Sequence, residues 1–215
     1  MPDYVKLFLE EVEGRELITE AIQYGMKLVI ASDPEQKEAL ARTYSSLSQG
    51  RKVFRLFRFI PETLRACETD LTDIDSILEG LKHASSAIFY VIDHYVWIVQ
   101  FAIKTSKENV AVVKKWKHRA SIIVSVFAIL VHIRRMHSLA GEAVTLNKVD
   151  SDIVKKDIIK ILHNSVRLLL SVHKLDHLLS RNREEWTEKK SGTLGLLSAL
   201  LGMANRAISN SSVNR

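Results

Sequence analysis

Residues that turn or break a chain are scarce here: Pro2, Pro34 and Pro61 are the only prolines, and eight glycines are spread over 215 positions. A sandwich or barrel of short strands needs turn residues about every 8–12 positions, so that class is excluded. Apolar residues recur instead at helical spacing. Between residues 4 and 31 they fall at Val5, Phe8, Leu9, Val12, Ile18, Ala21, Ile22, Leu28 and Val29. Ser32-Asp33-Pro34-Glu35 then stops one helix and starts another, with Pro suited to a first turn. Further helices are predicted over 35–48, 51–80, 84–104, 110–140, 151–181 and 192–208, with a break at Gly50 and a polar tail after residue 208. The predicted fold class is all-α. One domain is expected, with an N-terminal helical region at 1–83 and an apolar helical region at 84–215.

A single cysteine, Cys67, excludes an internal disulfide and a Cys-rich zinc site. The amino terminus has no basic stretch followed by an apolar one, so no secretory signal is expected. The last residues, Ser212-Val213-Asn214-Arg215, are not the address of a soluble peroxisomal matrix protein.

Apolar residues make up 47% of the chain, which is high for a soluble helical protein. Charge is uneven: residues 1–83 hold 11 Lys/Arg and 15 Asp/Glu, residues 84–215 hold 20 and 10. A basic half of this kind suits an anionic lipid surface or nucleic acid. Crossing the hydrocarbon takes about 20 apolar residues. Ala84 to Ile103 has that length but contains Asp93, His94 and Gln100; Ala120 to Ile133 and Gly192 to Ala207 are shorter. One or two short membrane-embedded helices are predicted, with 84–103 the leading candidate. In 192–207 the pairs Gly195 with Ala199 and Ser198 with Gly202 would let helices approach closely.

Residues 51–71 carry most of the functional inference. Advancing about 100° per residue from Val53, the residues Val53, Leu56, Phe57, Ile60, Leu64, Cys67 and Leu71 share one face. Arg51, Arg55, Arg58 and Arg65 share the opposite face, and 51–65 holds five Lys/Arg against one Glu. An apolar stripe against an arginine face is the pattern of an interfacial membrane helix, with Pro61 expected to kink it near 57–61. The predicted lipid-binding residues are Arg51, Val53, Arg55, Leu56, Phe57, Arg58, Ile60, Leu64 and Arg65. The same stripe fits a helix packed on a protein core, and the residues by themselves leave both readings open. No nucleic-acid-binding module accompanies the arginines, so nucleic acid is not an expected partner.

No phosphate-binding, nucleophile-elbow, dinucleotide or zinc-protease motif occurs, and no catalytic residues are predicted. His173 and His177 sit four apart but lack a third ligand, so no metal or other cofactor is expected. Asp93 within an apolar stretch reads first as a group paired with neighbours of His94, a lysine or a helix end in a protein interior, or else as a polar seam for oligomer contacts or a pore.

Four stretches, in order along nearly the whole chain, resemble the Pex11 family of peroxisome-proliferating membrane proteins. They are Gly14-Arg15-Glu16-Leu17 followed by Ile22-Gln23-Tyr24, the basic run from Ser48 to Ile60, the segment Tyr90 to Ile98 with Asp93, His94 and Trp97, and the glycine-bearing end from Ser191 to Gly202. The resemblance implies a non-enzymatic protein of the peroxisomal membrane, or of a specialised peroxisome such as a glycosome. It implies elongation of the organelle before division, self-association into a homo-oligomer, and recruitment of a dynamin-type fission machinery. It also implies delivery by the peroxisomal membrane-protein import receptor, with 51–60 or 114–124 as docking stretches. Two alternatives stand beside membrane remodelling: a small-solute channel, and a soluble helical adaptor with its apolar faces inside.

Overall fold

A computed structural model describes residues 12–32, 37–101, 106–146, 151–179 and 186–213. Among these residues the chain is helical with no strands. The helices are α1 (Val12–Ser32), α2 (Lys37–Phe54), α3 (Phe59–Glu68), α4 (Ile74–Phe101), α5 (Lys107–Leu146), α6 (Ser151–Leu179) and α7 (Trp186–Val213). Local chemistry sets several of their ends. The Ser76 backbone N–H donates to Asp73 Oδ1 at 2.7 Å, a side-chain cap for α4, and Asp75 adds an acidic group to its first turn. Ser106 Oγ accepts from the Asn109 N–H at 3.3 Å before α5, and Glu108 lies in that first turn.

The helix expected over 51–80 is interrupted twice. The N–H groups of Arg55, Leu56, Arg58 and Ile60 bond only three residues back, and Phe57 takes φ 62°, so α2 and α3 are separate elements joined by a tight turn. Pro61 falls in the first turn of α3, where its missing N–H costs nothing. A second break follows Glu68, where Thr69 becomes extended. The polar residues after 208 are helical up to Val213 rather than a tail.

Neighbouring helices pack in the order α4, α5, α6, α7, α1, and α2 runs from α1 back to touch α4, closing a ring; α3 lies on α4. The α1–α7 contact depends on glycine. A Cβ on Gly195 would penetrate the Tyr24 ring, and one on Gly202 would meet Leu17 Cδ2 at 2.6 Å and His163 Cε1 at 2.9 Å. The small-residue spacing at 195–202 thus serves close helix approach, as its pattern predicts. Between α5 and α6 the hydroxyls of Ser121 and Ser171 are 2.8 Å apart.

The distribution of polarity is unusual. Among the described residues the interior holds as many buried polar or charged side chains as buried apolar ones, eleven of each. Meanwhile Ile123, Val126, Leu130 and Ile133 of α5 and Leu162, Leu169 and Val172 of α6 are exposed. Polar inside and apolar outside suits a bundle set in lipid, where the hydrophobic effect does not drive helices together. The membrane candidate also changes. Among the described residues one helix is long and apolar enough to cross a membrane, over Glu108–Ala140, and it is not the 84–103 stretch ranked first from the sequence. Ile103 itself lies outside the described residues.

Gly195→Ala is expected to destabilise the protein by ~1–3 kcal/mol through overpacking on Tyr24. Gly25, where an added Cβ has nothing within 4 Å, is expected to gain up to about 1 kcal/mol on replacement by Ala. Thermal unfolding of the two variants in detergent should therefore move in opposite directions.

Candidate functional site

The site is built where α1 and α4 face each other without touching through their backbones. Side chains from the end of α2 and the turn after it fill the gap. Arg51 places Nη2 at 2.6 Å from Glu20 Oε2 and donates through Nη1 to Gln23 Oε1 at 2.8 Å. Arg55 spans the gap, with Nε at 3.3 Å from Glu16 Oε1 on α1 and Nη1 at 3.0 Å from Asp93 Oδ2 on α4. Arg58 reaches Glu13 Oε1 at 2.6 Å and Glu16 Oε2 at 3.0 Å, with its guanidinium 5.1 Å from the Tyr90 ring centroid. Lys117 of α5 approaches the other Asp93 oxygen at 2.5 Å. Asp93 is only 3% exposed, so it is a carboxylate paired with cations inside the protein.

Burial by itself would lower the pKa values of Arg55 and Arg58. Asp93 and Glu16 around Arg55, and Tyr90, Glu16 and Glu13 around Arg58, outweigh it and raise both. Lys52, beside this cluster, is pushed down to about 8 by burial and then by Lys117.

The tight turn that breaks the amphipathic helix is held from α4. The Phe57 N–H donates to His94 Nε2 at 3.0 Å, which leaves His94 Nδ1–H to donate to the Tyr90 carbonyl at 2.5 Å. The Phe59 ring meets His94 edge-on at 5.7 Å. Phe57 itself projects outward, 64% exposed.

The predicted lipid-binding set is thereby divided. Arg51, Arg55 and Arg58 point inward to carboxylates, and Leu56 is half-buried. Val53, Phe57, Ile60 and Leu64 are exposed, and α3 has no buried residue. Arg65 is exposed and pairs with Glu62 at 3.1 Å. Sequence reasoning missed the carboxylates that receive the arginines. Their signal was present: Glu13, Glu16 and Glu20 recur at intervals of three and four, a single acidic face of α1. His173 is half-buried and His177 exposed; among the described residues no group of three His, Cys, Asp or Glu is placed to hold a metal.

Removing one partner of a buried pair leaves the other charge uncompensated, so Asp93→Leu is expected to cost ~3–5 kcal/mol. Unfolding in detergent should show that loss, and the exposed Asp152→Leu change should cost far less. A second expectation concerns pH. Burial, and then Arg167, lowers the His163 pKa to about 4, below the usual ~6.5 of an unfolded chain. The folded state then binds fewer protons than the unfolded one between those values. His163 should contribute a loss of stability on the order of 3 kcal/mol as pH drops from ~6.5 to ~4, and His163→Gln should remove that share of the dependence.

The sequence pattern of the peroxisomal biogenesis factor 11 family matches residues 3–206. Peroxisomal membrane protein 11-1 of Oryza sativa subsp. japonica is 27% identical over 213 residues, covering 92% of this chain and 87% of that protein. Peroxisomal membrane protein 11-5 of the same plant is 26% identical over 211 residues, covering 91% and 88%. Peroxisomal membrane protein 11C of Arabidopsis thaliana is 28% identical over 157 residues, covering 71% and 64%. No solved structure matches. With a family match over nearly its whole length, the chain belongs to the peroxisomal biogenesis factor 11 family and is a protein of the peroxisomal membrane.

Proposed function

We propose that this peroxisomal proliferation protein elongates the organelle membrane by seating the row Val53, Phe57, Ile60 and Leu64 in one leaflet as a wedge. The observation that carries the reading is the exposure of these four large apolar side chains, from 46% for Ile60 to 64% for Phe57, next to arginines that are locked inward. Fully burying a large apolar side chain contributes roughly 1.5–3 kcal/mol. Four together are ample to hold the element at the interface. Each basic group at an anionic surface adds about 1 kcal/mol, and Arg65 is the arginine of this set that faces outward. Material inserted into one leaflet expands that leaflet relative to the other and favours curvature. The ion-paired turn makes the wedge stiff against the bundle, and the apolar stretch of α5 serves as the anchor.

Its partners under this reading are anionic membrane lipids, further copies of the same chain, a dynamin-type fission machinery and its membrane adaptors, and the peroxisomal membrane-protein import receptor. Fission follows elongation: a narrowed tubule is the substrate on which a constricting GTPase acts.

The test uses full-length protein reconstituted into anionic liposomes. The triple change Phe57→Glu, Ile60→Glu and Leu64→Glu should abolish tubulation while leaving thermal unfolding nearly unchanged, because all three side chains are exposed. Tubules formed at the unaltered protein's level by the triple variant would refute the wedge.

A small-solute channel is the second reading, favoured by the charged side chains gathered in the interior around Asp93. Planar-bilayer recordings decide it: a channel should give steps whose conductance changes in Asp93→Asn, and silent bilayers would remove the idea.

A further inference from the structure

A partly open cavity of about 420 Å³ lies between α1, the α2–α3 turn, α4, α6 and α7. That size lies within the range of small-molecule sites. Its wall is strongly unbalanced, with seven Lys or Arg side chains against three Glu. The three glutamates are already engaged by Arg51, Arg55 and Arg58, and Arg206 shares Glu13 at 3.5 Å. Lys82 is held by Glu79.

Two cations remain. Lys160 and Arg167 lie seven residues apart on α6 and so line the same side of the cavity. Among the described residues neither side chain has an ion pair within 4.0 Å or a hydrogen bond, although Asp157 attracts Lys160 from farther away. Two further polar atoms of the lining are orphaned: Arg51 Nε, on a side chain nine-tenths buried, and Asn205 Oδ1. An amide can turn to present its NH2, so Asn205 supplies donors as readily as an acceptor. Tyr90 also lines this space. Buried polar atoms without partners are uncommon, and several around one cavity ask for a ligand.

The donor set defines its chemistry. The excess of Lys and Arg over Glu on the wall, with two cations that have no close partner, points to an anion as the ligand. A cavity whose lining carries an excess of one sign of charge concentrates the opposite ion. An arginine fork and a lysine ammonium lining one side of a cavity suit the several oxygens of a phosphate group better than the two of a carboxylate. We infer that the cavity between α1, α4, α6 and α7 binds a phosphate-bearing anion, held chiefly by Lys160 and Arg167 with donors from Arg51 and Asn205. A soluble phosphate ester and the phosphorylated head group of a membrane lipid carry the same chemistry. The inference is independent of the wedge, whose four apolar residues do not line this cavity.

The test is calorimetric titration of the full-length protein in phosphatidylcholine nanodiscs with inorganic pyrophosphate. A parallel arm measures thermal unfolding in nanodiscs with and without phosphatidylinositol 4-phosphate. Saturable pyrophosphate binding, weakened at least tenfold in Arg167→Gln and in Lys160→Gln but retained in the exposed Lys155→Gln, would support the site and a soluble source. A lipid-dependent rise in unfolding temperature that disappears in the same two variants, without pyrophosphate binding, would support the site with a lipid source. Arg167→Lys, which keeps the charge, should recover part of the affinity and guards against a folding defect. No response to either probe, or equal responses in Arg167→Gln and Lys155→Gln, would overturn the assignment.

Discussion

Arg55 is the residue on which the arrangement turns. One guanidinium joins Glu16 of α1 to Asp93 of α4, two helices whose backbones do not meet. Its neighbours Arg51 and Arg58 tie the same segment to Glu20 and Glu13. Burying several charges is expensive unless each is paired and hydrogen-bonded, and here the pairs are extensive enough to keep the arginines ionised. The segment after α2 therefore has one way to sit, with its cations inward.

That orientation decides which side chains the segment turns outward. A helix that is apolar on one face and basic on the other would ordinarily lie with both faces shared between lipid tails and head groups. In this fold the basic face is spent on carboxylates, and the apolar face is left outside. Under the proposed wedge, attraction to a bilayer would rest on Val53, Phe57, Ile60 and Leu64, and would be less sensitive to salt than arginine-headgroup pairing. The α2–α3 turn contributes a second constraint: Phe57 in a left-handed conformation is uncommon for a bulky residue, and its backbone is held by His94.

The rest of the bundle follows the same inverted logic. Serine hydroxyls, the Asp93 cluster and the His132–Asp157 pair at 2.9 Å occupy positions that leucines would fill in a soluble bundle. Glycines at 192, 195 and 202 bring α7 against α1. Interhelical hydrogen bonds and close backbone approach replace much of the apolar core, as expected of helices that meet inside lipid.

Helical class, the positions of most helices, the close-packing glycines of α7 and the amphipathic character of 51–71 were all legible in the sequence, because periodicity and side-chain size are local properties. Asp93 as a buried, paired carboxylate was legible for the same reason, since an acid in an apolar run has few other options. The family match, too, follows from residue order alone. Only the tertiary structure decided which way the arginines face. Their partners, Glu13, Glu16, Glu20 and Asp93, lie some 30 to 45 residues away along the chain, and a helical wheel carries no information about what stands opposite it. The breaks at Phe57 and Thr69 and the placing of Lys160 and Arg167 on one cavity wall were decided there as well. Each depends on charges and backbones brought together by folding, and none of those distances is encoded in local spacing.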